Sequence, residues 1–170
     1  MVRNTEDHVD IIIKQWQKEL PELASEKMAL IGRLKRCAAI IQPKLESLFN
    51  EYGLGSGSFD VLATLRRSGS PYCLSPTELF ASLMVTSGTM TVRLQKLENQ
   101  GLIKRVPNPN DARSTLVQLT EKGVQLIEKA VFEHVENESR LLDGLSDETQ
   151  RQLNQNLAEF LRLLESKDNL

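Results

Sequence analysis

Between positions 87 and 100 the chain carries side chains suited to reading nucleic acid rather than to catalysis. Met90, Leu94 and Leu97 recur at i, i+4 and i+7, the spacing of one buried stripe on a helix. Turning about 100° per residue from that stripe places Gly88, Val92, Gln95 and Asn99 on the far side, with Thr89, Thr91 and Lys96 flanking it. This outward face is small and polar, has one wholly apolar side chain, Val92, and almost no acid. A merely solvated face would mix Glu with Lys. Ser87, Thr89, Thr91, Gln95 and Lys96 are therefore the candidates for base and phosphate contacts. Arg113, in a turn-rich segment farther on, is a sixth, suited to a minor groove or a phosphate. Asp111 beside it suggests a tip braced by an ion pair; on a bare surface such a pair is worth only about 0–1 kcal/mol.

These residues need a scaffold, and the flanking sequence supplies one. Ser75-Pro76-Thr77-Glu78 is a capping box with Pro at the first helical position, so a short helix starts there. It carries Leu79, Phe80 and Leu83 toward a core and stops near Met84. Thr86 or Ser87 caps the next helix, and Gly101 suits the left-handed residue that ends it. Leu102–Val106 and Ser114–Thr120 then read as two strands around a tip at Pro107–Arg113. Helix, turn, helix and basic hairpin make a winged helix-turn-helix, with Ser87–Gln100 as the helix that enters a major groove.

A second pair of residues points to a switch. Asp60 sits between Phe59 and Val61 in an apolar helix, where an unpaired carboxylate is costly. Arg93 lies about 60° from the buried stripe of its helix, too near the core to be a free phosphate contact. An Asp60–Arg93 interaction satisfies both, either as a buried salt bridge coupling two helices or as a ligand-gated pair.

Charge is distributed to match. The chain has 21 Lys and Arg against 23 Asp and Glu, a formal net charge of −2. Residues 93–113 nevertheless hold Arg93, Lys96, Lys104, Arg105 and Arg113 against Glu98 and Asp111, a local +3. The acidic remainder opposes indiscriminate binding. Two histidines, no paired catalytic carboxylates, no phosphate loop and no metal spacing argue against an enzyme or a metal sensor, and no cofactor is expected. The start of the chain lacks a signal-peptide pattern, and no apolar run approaches 18 residues, so a cytoplasmic protein without membrane insertion is expected. Cys37 and Cys73 imply no disulfide framework.

The rest of the chain is helical. Leu34, Ala38, Ile41, Leu45, Leu48 and Tyr52 form one seam on a long helix from Ile31, with Pro43 inside it. Gly57–Arg67 is a second helix. A third from Thr120 carries Ile127, Val131, Val135, Leu141 and Leu142, and Ser146 caps a last one with Leu153, Leu157, Phe160 and Leu164. Val9–Glu19 forms a short first helix. Both ends carry more apolar helical surface than one winged helix covers, which calls for a second copy of the chain. Residues 1–170 thus form a single domain, mostly α with a small β-wing. The winged helix-turn-helix spans about 54–120, flanked by dimerisation helices at about 9–52 and 121–166.

The order of helices, the wing signature Asn110-Asp111-Ala112-Arg113-Ser114 and the junction Leu119-Thr120-Glu121-Lys122-Gly123 resemble those of the MarR family of transcriptional regulators. The N-terminal extension and the segment Ser58–Arg67 are similar to the PecS-type, urate-responsive branch of that family. The resemblance implies a homodimer that binds a pseudo-palindromic duplex, repressor-like. It also implies a site for a small anionic aromatic or urate-like effector, formed by Trp16, Asp60, Arg93 and Arg105. The alternative is a winged-helix protein-interaction adaptor that does not bind DNA.

Five further residues carry weaker signals. His134 falls on or beside the seam of an expected dimer helix, packed or pH-sensing, and His8 faces solvent. Cys37 shares a face with Leu34 and Ile41 and reads as a core thiol. Cys73 reads as a loop residue open to redox chemistry. Gly55 stands where a Ser or Thr cap is usual, a tolerable exchange.

Overall fold

The computed structural model describes residues 6–84 and 90–168. Its elements are α1 (His8–Glu19), α2 (Glu26–Glu51), α3 (Ser56–Arg67), β1 (Cys73–Leu74), α4 (Pro76–Ser82), α5 (Met90–Asn99), β2 (Ile103–Asn108), β3 (Asp111–Leu119), α6 (Glu121–Leu142) and α7 (Asp147–Asp168). Side chains start several of the helices. Asp7 accepts from Val9 and Asp10 amides, Ser75 from Glu78, Thr120 from Gly123 and Ser146 from Thr149. Each satisfies amides that have no partner inside the helix. Gly55 caps α3 in extended geometry, as its position suggests. Gly101, at φ 68°, ends α5 in the left-handed region.

The core lies where α3, α5 and α6 meet the sheet. Val61, Leu62 and Leu65 of α3, Leu79 of α4, Leu94 and Leu97 of α5 and Ile127 of α6 are buried together. Met90 packs against this cluster, so the stripe on α5 is as its spacing requires. Phe49 stacks on Phe59 with ring centroids 4.2 Å apart and docks the C-terminal half of α2 on α3. Phe80 points outward instead, half exposed, while Leu79 next to it takes the buried place on the short helix α4.

The sheet order is β1-β3-β2, all antiparallel. The hairpin is longer than the turn-rich composition suggests. Asn108 pairs with Asp111, so the tip is only Pro109-Asn110. Pro107 fits inside β2 because β2 is an edge strand and a missing N–H costs nothing on its open side. Cys73 is not in a loop. It pairs with Gln118 in β1, a two-residue strand too short to show a period.

At both ends the helices leave apolar faces open. Leu34, Cys37 and Ile41 are exposed on α2, so Cys37 is not a core thiol within this chain. Leu30 is 66% and Phe132 76% exposed, and α7 buries none of its described side chains. No helix among the described residues is long and apolar enough to cross a membrane.

Candidate nucleic-acid interface and effector cavity

On α5 the outward residues are Thr91, Val92, Gln95, Lys96 and Asn99, all exposed. The amides of Gln95 and Asn99 are tied, with Gln95 Nε2 donating to Asn99 Oδ1 at 3.1 Å. The one acid of α5, Glu98, is turned aside. Arg105 on β2 donates from Nε to its Oε2 at 3.3 Å, so the carboxylate that would oppose phosphates is neutralised from the hairpin. Ser87 and Thr89 lie outside the described residues.

The hairpin tip is rigid for a reason other than an ion pair. Asp111 Oδ1 accepts from the backbone amide of Arg113 at 3.0 Å, and Asn108 Oδ1 accepts from that of Asn110 at 3.0 Å. Both are side-chain turns of the kind Asn and Asp favour. Asn108 Nδ2 also donates to Ser114 Oγ. Among the described residues the Arg113 guanidinium has no ion-pair partner, because Asp111 is spent on the backbone.

The junction after the hairpin fixes the wing against α5. Thr120 Oγ1 donates to the Gly101 carbonyl at 2.7 Å and accepts from the Gly123 amide at 3.0 Å. Lys122 Nζ donates to the Gln100 carbonyl. A β-carbon on Gly123 would fall 2.0 Å from the Leu102 carbonyl oxygen. The Leu-Thr-x-x-Gly pattern is therefore the contact that lets α6 start against the end of α5.

Behind α5, a cavity of about 320 Å³ opens between α2, α3 and α6. Phe49 and Phe59 wall it, Asp60, His134 and Glu138 supply polar atoms together with Gln42 and Ser56, and Met84 and Gly57 also line it. Its size and mixed lining suit a small planar ligand. Asp60 Oδ2 accepts from the Met84 amide at 3.1 Å and so holds the end of the α4 segment that leads to α5. The Arg93 guanidinium reaches the same turn of α3: a β-carbon on Gly57 would lie 2.3 Å from its Cζ.

The matched family model, the MarR family, covers residues 54–115, the segment from the α3 cap to the wing. The HTH-type transcriptional regulator PecS of Dickeya dadantii is 43% identical over 145 residues, 85% of this chain and 87% of that protein. The chain belongs to the MarR family. A crystal structure of a mutant Escherichia coli MarR complexed with operator DNA superposes with a TM-score of 0.69 at 26% identity, covering 82% of this chain and 99% of that one. A MarR-like transcription regulator from Bacillus cereus reaches a TM-score of 0.74 at 23% identity, over 83% and 99% of the two chains.

Of the four effector residues implied by the sequence of this MarR-family chain, Asp60 lines the cavity and Arg93 stands behind Gly57. Arg105 lies on β2, paired with Glu98 of α5, and Trp16 lies on α1, 38% exposed, which packs along α2; neither lines the cavity. His134 is placed differently from expectation. It packs within its own chain against Phe49 and Phe59, at 5.2 and 4.9 Å, and its Nε2 is 3.2 Å from Glu138 Oε1. Phe49 on α2 and Glu138, one turn after His134 on α6, carry no local signal, and only the folded chain brings the two helices to one wall. Cys73 is partly buried, and burial pushes its thiol up, with Glu78 adding to the effect and Lys104 opposing it. That is the reverse of a poised redox thiol.

Proposed function

We propose that the chain is a homodimeric transcriptional repressor that grips a pseudo-palindromic duplex and is released by a small anionic planar effector such as urate. The observation that carries the reading is the face of α5. Its exposed side chains are Thr91, Val92, Gln95, Lys96 and Asn99, and its lone acid is paired away to Arg105. With Ser87 and Thr89, which precede α5 in the sequence, these make the base and phosphate contacts, and Arg113 on the tip reaches a neighbouring minor groove. The likeness to a MarR structure holding operator DNA supports that docking.

A second copy covers α1, α7 and the open half of α2, whose exposed apolar side chains need a partner. The effector enters beside Asp60, where Arg93 supplies positive charge; a stacking role for Trp16 requires the second copy, since in its own chain α1 packs along the other end of α2. Urate carries negative charge for Arg93. A bound anion repels Asp60 from its bond to the Met84 amide, and that bond leads directly into the segment before α5.

The test is a gel shift with the duplex upstream of the chain's own gene, alongside fluorescence of Trp16, the single tryptophan. Urate is expected to quench Trp16 and release the duplex together. Retention of the duplex with unchanged fluorescence would remove the effector and leave the DNA reading. Absence of any shift would favour an interaction adaptor.

A further inference from the structure

On a face otherwise made of hydroxyl, amide and ammonium groups, Val92 is 68% exposed. It is the apolar residue at the centre of the outward side of α5, and it shares a shallow groove with Thr91, Gln95, Lys96 and Asn99. It has no role in the core. Val92, Gln95 and Asn99 stand at i, i+3 and i+7, one line along the helix, with about 4.5 Å of rise from Val92 to Gln95. That rise is comparable to one base-pair step. Gln95 is held by its bond to Asn99, which uses one Nε2 hydrogen. Its Oε1 and second Nε2 hydrogen stay available, the set that binds adenine at N6 and N7. A side chain fixed in this way aims at one base rather than sweeping several.

We infer that Val92 is a specificity-determining residue, which selects a thymine by contact with its C5 methyl at the base step next to the one Gln95 reads. Of the four bases only thymine offers a methyl in the major groove, and an isopropyl group can bond none of the others. A cytosine at that position would set an unpaired amino group against Val92, and leaving such a group without a partner is unfavourable. Each half-site therefore carries an A·T pair at this step. The inference rests on the DNA-binding reading above and adds the base that one residue chooses.

The experiment uses the full-length protein and duplexes recovered from a randomised library. Each thymine of the recovered half-site is replaced singly by deoxyuridine, which removes the methyl and keeps every hydrogen bond. At one thymine per half-site, wild type is expected to lose about fourfold in affinity, the worth of burying one methyl group. Val92→Ala is expected to bind the thymine and uracil duplexes equally, with its other base preferences intact. Since Val92 lies outside the core, circular dichroism of the variant should match wild type. Uracil tolerated at every position by wild type, or a penalty of equal size in Val92→Ala, overturns the inference alone. Recovery of no duplex overturns the DNA reading and this inference with it.

Discussion

The guanidinium of Arg93 on α5 occupies the space above Gly57 on α3, where a β-carbon would lie 2.3 Å from its Cζ. Gly57 is one turn before Asp60, so the missing side chain is what lets a residue of α5 approach the cavity wall. Gly57→Ala must push Arg93 away, and the displaced atoms are the end of a flexible side chain. Thermal stability is expected to stay within about 3 °C, since Ala inside a helix gains up to about 1 kcal/mol over Gly. Effector response is expected to shift. Melting and effector titration of DNA release together check this.

Gly123 differs because its neighbour is backbone. With the Leu102 carbonyl oxygen 2.0 Å from the added atom, neither side can yield cheaply. Gly123→Ala is expected to destabilise by about 1–3 kcal/mol, the range for overpacking. Thr120→Ala, which removes a cap, should cost about 1 kcal/mol or somewhat more. Urea unfolding measures both.

Acid should release α1 from α2. Arg33 reaches Asp7 and Asp10 across the two helices, donating to Asp7 Oδ2 at 2.7 Å. Its hydrogen bond holds the Asp7 carboxyl below the ordinary 3.8, and the Asp7 amide, then Arg33, do the same for Asp10. The folded carboxyls bind protons less readily than unfolded ones. Their contribution is therefore complete above about pH 4 and lost as pH falls below that. Trp16 on α1 reports the change: its fluorescence should shift in acid, and Arg33→Ala should show the acid-like signal at neutral pH.

Alkylation should find Cys73 slow. Burial raises its thiol above the ordinary 9.0, with Glu78 adding to the effect. At about pH 8 it carries less thiolate than a free cysteine, so it is expected to react more slowly with iodoacetamide than a cysteine in a short peptide. Peptide mapping over time reads the rate.

How far these features could be read beforehand depends on the length of the signal. The capping box at Ser75, the stripe Met90, Leu94 and Leu97, and the glycine at 101 are local, and local chemistry survives folding intact. The strand β1 spans two residues and exists only because β3 lies beside it. Asp111 and Arg113 are nearby charges that suggest a pair, but the turn offers the carboxylate a nearer amide. The cavity was half legible. Asp60 stood out as a charge in an apolar helix, while Phe49, His134 and Glu138 look like ordinary positions on α2 and α6 until those helices cross α3.

The reading of α5 as the DNA-binding element is tested most directly by the salt dependence of duplex affinity in wild type and Lys96→Ala. Lys96 is exposed beside Gln95 on the outward face, so its loss should not disturb the fold. If it meets a phosphate, affinity falls across sequences, and the slope of log affinity against log salt drops by about 0.9 per protomer. Unchanged affinity and slope in Lys96→Ala would contradict the account.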